Sequence, residues 1–113
     1  MNKPLHELEY SFRITDFEPS LFQTLEKYLS GLSIESREHK DTKKLVVAIP
    51  LTEGYNYQTL IEFIKLNNIP WSQYGIWVSL VTDLDQDGVH VPEFVTNIIR
   101  EIGGNIDFSF TCV

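Results

Sequence analysis

The spacing of apolar residues changes several times along this 113-residue chain, and these changes predict the order of its strands and helices. Residues 8–15 alternate between apolar and polar side chains, which is typical of a half-buried strand. Around residues 21–29, 57–64 and 95–102 the apolar positions recur every three or four residues, which predicts three amphipathic helices. A chain with this pattern combines strands and helices in one fold.

Four further segments have the composition of strands. Residues 32–38 and 45–49 flank a polar turn and predict a hairpin, and the continuous apolar run of the second predicts a central position. Residues 76–81 are apolar on both faces, and residues 106–113 alternate again. The order is β-α-β-β-α-β-α-β, and its first six elements match a ferredoxin-like unit. We expect a single α+β domain, residues 1–113, forming a ferredoxin-like two-layer sandwich with an added C-terminal helix and strand.

The balance of charged residues restricts the class of partner. The net charge is −7 and the pI is near 4.8. An acidic surface disfavours nucleic acid, because phosphate binding needs a basic face. It favours a basic protein partner, because complementary charge steers association.

The cysteine content and the apolar runs indicate a compartment. Cys112 is the only cysteine, so no intramolecular disulfide is expected. It shares a strand face with Phe108 and Phe110, which predicts a small core residue. The first residues have no apolar run typical of a signal peptide, and no stretch approaches the roughly 20 apolar residues of a membrane helix. We expect a cytoplasmic protein without a membrane partner.

An acidic segment after the fourth predicted strand resembles the start of a calcium loop. Asp83, Asp85 and Asp87 alternate and are followed by Gly88. The twelfth position of such a loop would be Phe94, where an EF-hand needs a bidentate Glu, and a strand replaces the entering helix. We therefore expect no metal or other cofactor. The alternative, a calcium- or small-ligand-binding domain that uses this loop, stays open.

Two aromatic residues in a predicted loop are candidate anchors for a partner. Trp71 and Tyr74 lie between the second helix and the fourth strand, and Trp and Tyr are favoured at interface hot spots. The competing interpretation is that both cover the edge of the core, and for Trp77, inside the strand, the core interpretation is the stronger one.

No motif indicates an enzyme. His6, His39 and His90 are scattered, so they and one cysteine do not suggest a zinc site. The chain has no glycine-rich phosphate loop and no Gly-x-Ser-x-Gly element. We expect no catalytic residues.

Parts of the chain resemble known small bacterial proteins. Glu9–Pro19, with its Ser-Phe-Arg-Ile strand, acidic turn and Pro, resembles the opening of a group of uncharacterised small bacterial domains. Trp77–Ser79, Pro92–Phe94 and Ile106–Ser109 are similar to their closing strand-helix-strand. A small acidic α+β domain also resembles bacterial toxin-immunity proteins, including those of contact-dependent growth inhibition. The resemblance implies binding and neutralisation of a cognate toxin, often a basic nuclease.

The sequence therefore predicts a non-enzymatic protein-binding module, most concretely a cytoplasmic immunity protein against a basic toxin domain. The predicted contact residues are four carboxylates and two aromatic anchors. They are Asp83, Asp85, Asp87, Glu93, Trp71 and Tyr74.

Overall fold

A computed structural model of the chain describes residues 6–83 and 90–112. The order of the main elements agrees with the order that the spacing predicts. Short 3-10 helices at Pro19–Leu21 and Trp71–Gln73 precede α1 and β4. The elements are β1 (His6–Phe17), α1 (Phe22–Tyr28), β2 (Glu35–Glu38), β3 (Leu45–Pro50), α2 (Gln58–Leu66), β4 (Tyr74–Thr82), α3 (Glu93–Ile102) and β5 (Asn105–Cys112).

The five described strands form one mixed sheet in the order β2-β3-β1-β4-β5. The strand β1 lies at the centre and pairs antiparallel with both β3 and β4, and β2 pairs antiparallel with β3 as the predicted hairpin. The strand β5 pairs parallel with β4, and α3 makes the connection between them. The described residues therefore form an α+β fold with a five-stranded sheet and three α-helices.

The core lies between one face of the sheet and the three helices. Even-numbered residues of β4, odd-numbered residues of β3 and the even-numbered residues of β1 from Leu8 to Ile14 point into it, because successive strand residues point to opposite faces. The pairing of β1 with β3 shifts after Ile14, and Phe17 points into the core instead of Asp16. The largest fully buried side chains come from both layers. They include Phe12, Ile14, Leu25, Leu29, Ile49, Leu60, Phe63, Ile76, Leu80 and Ile98.

The turn from α3 into β5 depends on two glycines. Gly103 and Gly104 have φ angles of +75° and +108°, a region that favours residues without a Cβ. The amide of Gly103 donates a hydrogen bond to the Ile99 carbonyl at 2.7 Å and so closes the last turn of the helix. The predicted helix end at this glycine pair is confirmed, and the pair directs the chain into β5.

A third glycine, Gly75, allows the backbones of β4 and β5 to lie close together. A Cβ placed on Gly75 would lie 2.6 Å from the backbone oxygen of Asn105. Real Cβ atoms do not approach a carbonyl oxygen this closely, so only glycine fits at this position. The start of β5 therefore packs directly against the backbone of β4.

Among the described residues, no helix has both the length and the apolar character needed to cross a membrane.

Candidate functional site

The last strand of the sheet carries apolar side chains that the fold leaves exposed. No other described strand pairs with the outer side of β5. On the helix side of this strand, Ile106, Phe108 and Phe110 are 38%, 60% and 50% exposed. Exposed aromatic residues in a contiguous row are typical of contact surfaces rather than of a bare monomer surface. We refer to Ile106, Phe108 and Phe110 as the β5 stripe.

The exposure of the β5 stripe follows from the position of α3. In the parallel register, Phe108 lies beside Val78 and Phe110 lies beside Leu80, so each pair points to the same face of the sheet. Val78 and Leu80 are 1% and 2% exposed, because α3 packs against β4. The described part of the chain places no comparable cover over β5. The described helices thus cover β4 but leave β5 exposed.

The prediction that this strand buries its apolar face is wrong. Cys112, expected to be a small core residue beside Phe108 and Phe110, is exposed with them. The alternation of the segment is real, and Asn105–Cys112 is a strand. Alternation shows which residues share a face, but it does not show whether a second layer covers that face.

Trp71 lies at the end of the β5 stripe where the strand begins. The Trp71 Cβ is 3.9 Å from the position that a Cβ on Gly103 would take, two residues before β5. The side chain is 61% exposed, within the short helix Trp71–Gln73. Of the two predicted aromatic anchors, Trp71 is the one that is open to a partner.

Tyr74 is buried, which removes it from the predicted contact surface. It is the first residue of β4 and points into the core, where it is 6% exposed and its ring stacks on Phe12 with centroids 5.5 Å apart. Its hydroxyl donates a hydrogen bond to the Ile102 carbonyl. Burial raises the pKa of this phenol above its ordinary value of 10.0. Because β4 begins at Tyr74 and not two residues later, the residue belongs to the sheet instead of the loop.

One residue of the predicted acidic contact, Asp83, lies at the other end of the β5 stripe. Asp83 follows β4 directly and is exposed, and the preceding residue, Thr82, pairs with Cys112 at the end of β5. Glu93 is the exposed first residue of α3. The other two predicted carboxylates, Asp85 and Asp87, lie outside the described residues. The β5 stripe thus has an exposed indole at one end and a carboxylate, that of Asp83, at the other.

Metal binding has no support from residues 6–83 and 90–112. In these ranges no three His, Cys, Asp or Glu side chains converge in a way that could hold an ion. The calcium alternative depends on the Asp83–Gly88 segment, most of which lies outside these ranges, so it stays a prediction.

The opposite face of the sheet carries polar side chains and a shallow cleft. The guanidinium carbon of Arg13 lies 4.5 Å from the ring centroid of Trp77, and the Arg13 Nε donates to the Ser11 hydroxyl at 3.4 Å. The cleft beside this pair has a volume of about 530 Å³ and is lined in part by Glu9 and Glu35. Trp77 is half-buried on this face and so lies outside the core, contrary to the favoured interpretation. The alternation of β1 could have indicated this open face, because its odd positions are polar.

Comparison of the chain with models of protein families, with curated proteins and with solved structures gives no match.

Proposed function

We propose that this protein is a non-enzymatic protein-binding module whose contact surface is the β5 edge of the sheet. The observation that carries the proposal is the exposure of two phenylalanines, Phe108 and Phe110, on a strand whose outer side pairs with no other described strand. Such residues cost free energy in water and release it when a partner covers them. Covering the β5 stripe therefore supplies the largest favourable contribution to the free energy of binding.

An edge strand recognises a partner in a defined way. Its outward amides donate hydrogen bonds and its outward carbonyls accept them, so an extended segment can pair with it as a further strand. The side chains at alternate positions of the edge strand then select the side chains of that segment. The aromatic rings of Phe108 and Phe110 then contact apolar residues of the added segment, and Trp71 meets it at the start of β5. The preferred segment is extended and apolar on one face.

The charge of the chain favours a basic partner. The net charge is −7, and exposed Asp83 adjoins the far end of the β5 stripe. Complementary charge accelerates association and aligns the partner, while the apolar contacts supply most of the affinity. The concrete form of the proposal is a cytoplasmic immunity protein that binds and neutralises a basic, nuclease-type bacterial toxin.

The finer architecture that we propose is a ferredoxin-like unit extended by α3 and β5. The supporting observations are the strand order β2-β3-β1-β4, the antiparallel pairing of these four strands, and the two helices α1 and α2 in the connections. In this interpretation the added strand supplies the contact edge.

The test is co-purification with the product of a neighbouring toxin-like gene, together with rescue of cells that express that toxin. We expect a complex and rescued growth. Phe108→Glu should weaken the complex at least about tenfold, because it brings an unpaired charge into an apolar contact. The matched control is Ser36→Glu, which adds the same charge to an exposed position on β2 at the other edge, and we expect it to change affinity less than about twofold. Absence of a complex, or equal effects of the two substitutions, would overturn the proposal.

A further inference from the structure

We propose that the β5 edge also pairs with the β5 edge of a second copy of this chain, antiparallel and about a two-fold axis. The inference goes beyond the proposed function, since it needs no foreign protein. The inference rests on three properties of β5. Its side chains match in a symmetric antiparallel pair, it has one charged residue, and it exposes apolar surface that a second copy could bury.

Symmetry restricts the register of such a pair. In an antiparallel pair, residues directly opposite each other point to the same face. A two-fold axis perpendicular to the sheet keeps the helix side of both copies on the same side, so one residue must lie opposite itself. The eight residues of β5 therefore offer only a few registers, and each is defined by its central residue.

A register centred on Ser109 matches the side chains best. It places Phe108 of each copy opposite Phe110 of the other, which gives two aromatic cross-strand pairs on the helix side. On the opposite face it places Asp107 opposite Thr111, so the carboxylates of the two copies stay apart. A register centred on Phe108 gives one aromatic pair of this kind, and one centred on Asp107 sets two carboxylates against each other.

The charge content of β5 permits this contact. Edge strands of monomers are usually protected by lysine, proline, a bulge or short length. Asp107 is the only charged residue among the eight of β5, and the strand has no proline. A chain with a net charge of −7 thus places almost none of that charge where two copies would meet.

The available area indicates a weak dimer. Phe108 and Phe110 leave on the order of 200 Å² of ring surface exposed in each copy, scaled from the 150–250 Å² that one aromatic side chain can bury. With Ile106 and the backbone edge, two copies bury on the order of 1,000 Å², somewhat less than stable specific interfaces need. We therefore expect a dimer that forms at high protein concentration and that a tighter partner displaces.

The first test is sedimentation velocity of the purified chain from about 1 µM to about 1 mM, the range in which weak interfaces associate. We expect a shift from monomer to dimer, a loss of association of at least about tenfold in Phe108→Glu, and a change of less than about twofold in Ser36→Glu. A chain that stays monomeric throughout overturns this inference, whereas binding of a toxin by that same monomer would leave the proposed function standing. A dimer that both substitutions weaken equally also overturns it.

The second test examines the register with cysteines. In a Cys112→Ser background, Ser109→Cys places two thiols opposite each other, with Cβ atoms about 5 Å apart and close to disulfide distance. Thr111→Cys, on the same face, places them four residues apart along the strands, about 13 Å. Under mild oxidation we expect a covalent dimer at least about fivefold faster from Ser109→Cys than from Thr111→Cys. Equal rates would overturn the Ser109 register.

Discussion

The two edges of the sheet are built from opposite kinds of residue. The strand β2 has four residues, Glu-Ser-Arg-Glu, all exposed and three of them charged. The strand β5 has eight residues, one charge and three exposed apolar side chains on the helix side. A short charged edge resists pairing with another chain, because added strands would bury its charges. One edge is therefore protected from pairing, and the other is open to a partner.

The largest expected effect separates the centre of the sheet from the β5 edge. Phe12 on β1 is 1% exposed, whereas Phe108 on the same face of the sheet is 60% exposed. Phe12→Ala should lower the free energy of unfolding by about 3–5 kcal/mol, and Phe108→Ala by less than about 1 kcal/mol. Urea unfolding at low protein concentration measures both. A loss of similar size from Phe108→Ala would mean that the β5 stripe holds the fold and is not a free contact surface.

A smaller effect is expected where β5 joins the sheet. Gly75→Ala forces a Cβ to 2.6 Å from the Asn105 carbonyl oxygen, so the backbones of β4 and β5 must separate. We expect a loss of about 1–3 kcal/mol in the free energy of unfolding, comparable to overpacking a core. The control is Ser79→Ala, on the same strand and face, which adds no atom and should change stability by less than about 0.5 kcal/mol. A neutral Gly75→Ala would show that the close approach of the two strands is absent in solution.

The smallest effect is expected at Tyr74, whose buried hydroxyl links β4 to the end of α3 by a hydrogen bond. Tyr74→Phe removes the hydrogen bond from the Tyr74 hydroxyl to the Ile102 carbonyl and should cost about 1 kcal/mol at neutral pH. The substitution should also make the free energy of unfolding less dependent on pH above pH 10. Because burial raises the pKa of Tyr74, its contribution is complete below pH 10 and is lost as the pH rises through the folded-state pKa.

Unfolding midpoints from pH 8 to pH 11 measure this difference. Burial raises the pKa of Tyr10 as well, so the variant should keep part of the alkaline loss. If the wild-type protein and Tyr74→Phe lose stability equally above pH 10, Tyr74 has the same pKa in the folded and unfolded states. That result would contradict a buried Tyr74 hydroxyl bonded to the Ile102 carbonyl.

The contrast between these regions also shows what the sequence could predict. The strand β1 and the helix α3 were predictable, because each needs only a local period and a terminator: alternation before Pro19, and apolar spacing before Gly103. The strand order of β1, β3 and β4 depends on long-range packing, which no local pattern specifies.

The candidate site was harder to predict than the fold, for two physical reasons. The alternation of Phe108 and Phe110 is identical for a covered strand and for an uncovered edge, so the sequence predicted core where the structure has surface. The sequence predicts a loop at Tyr74, whereas β4 begins at this residue and places it in the core. The low charge of β5 fits a covered strand as well as an edge that contacts a partner, so it does not distinguish them either. Trp71 and Asp83 remain exposed, as a contact role requires.

Hydrogen–deuterium exchange at the two edges distinguishes an open β5 edge from a protected one. The amides of β5 and β2 would be compared in the same protein at about 1 µM and at about 1 mM, and again with a bound toxin partner. We expect amide protection to rise across Asn105–Cys112, both at high concentration and in the complex, while that of Glu35–Glu38 is unchanged. Equal changes at both edges, or a β5 edge that gains no protection in either condition, would contradict it.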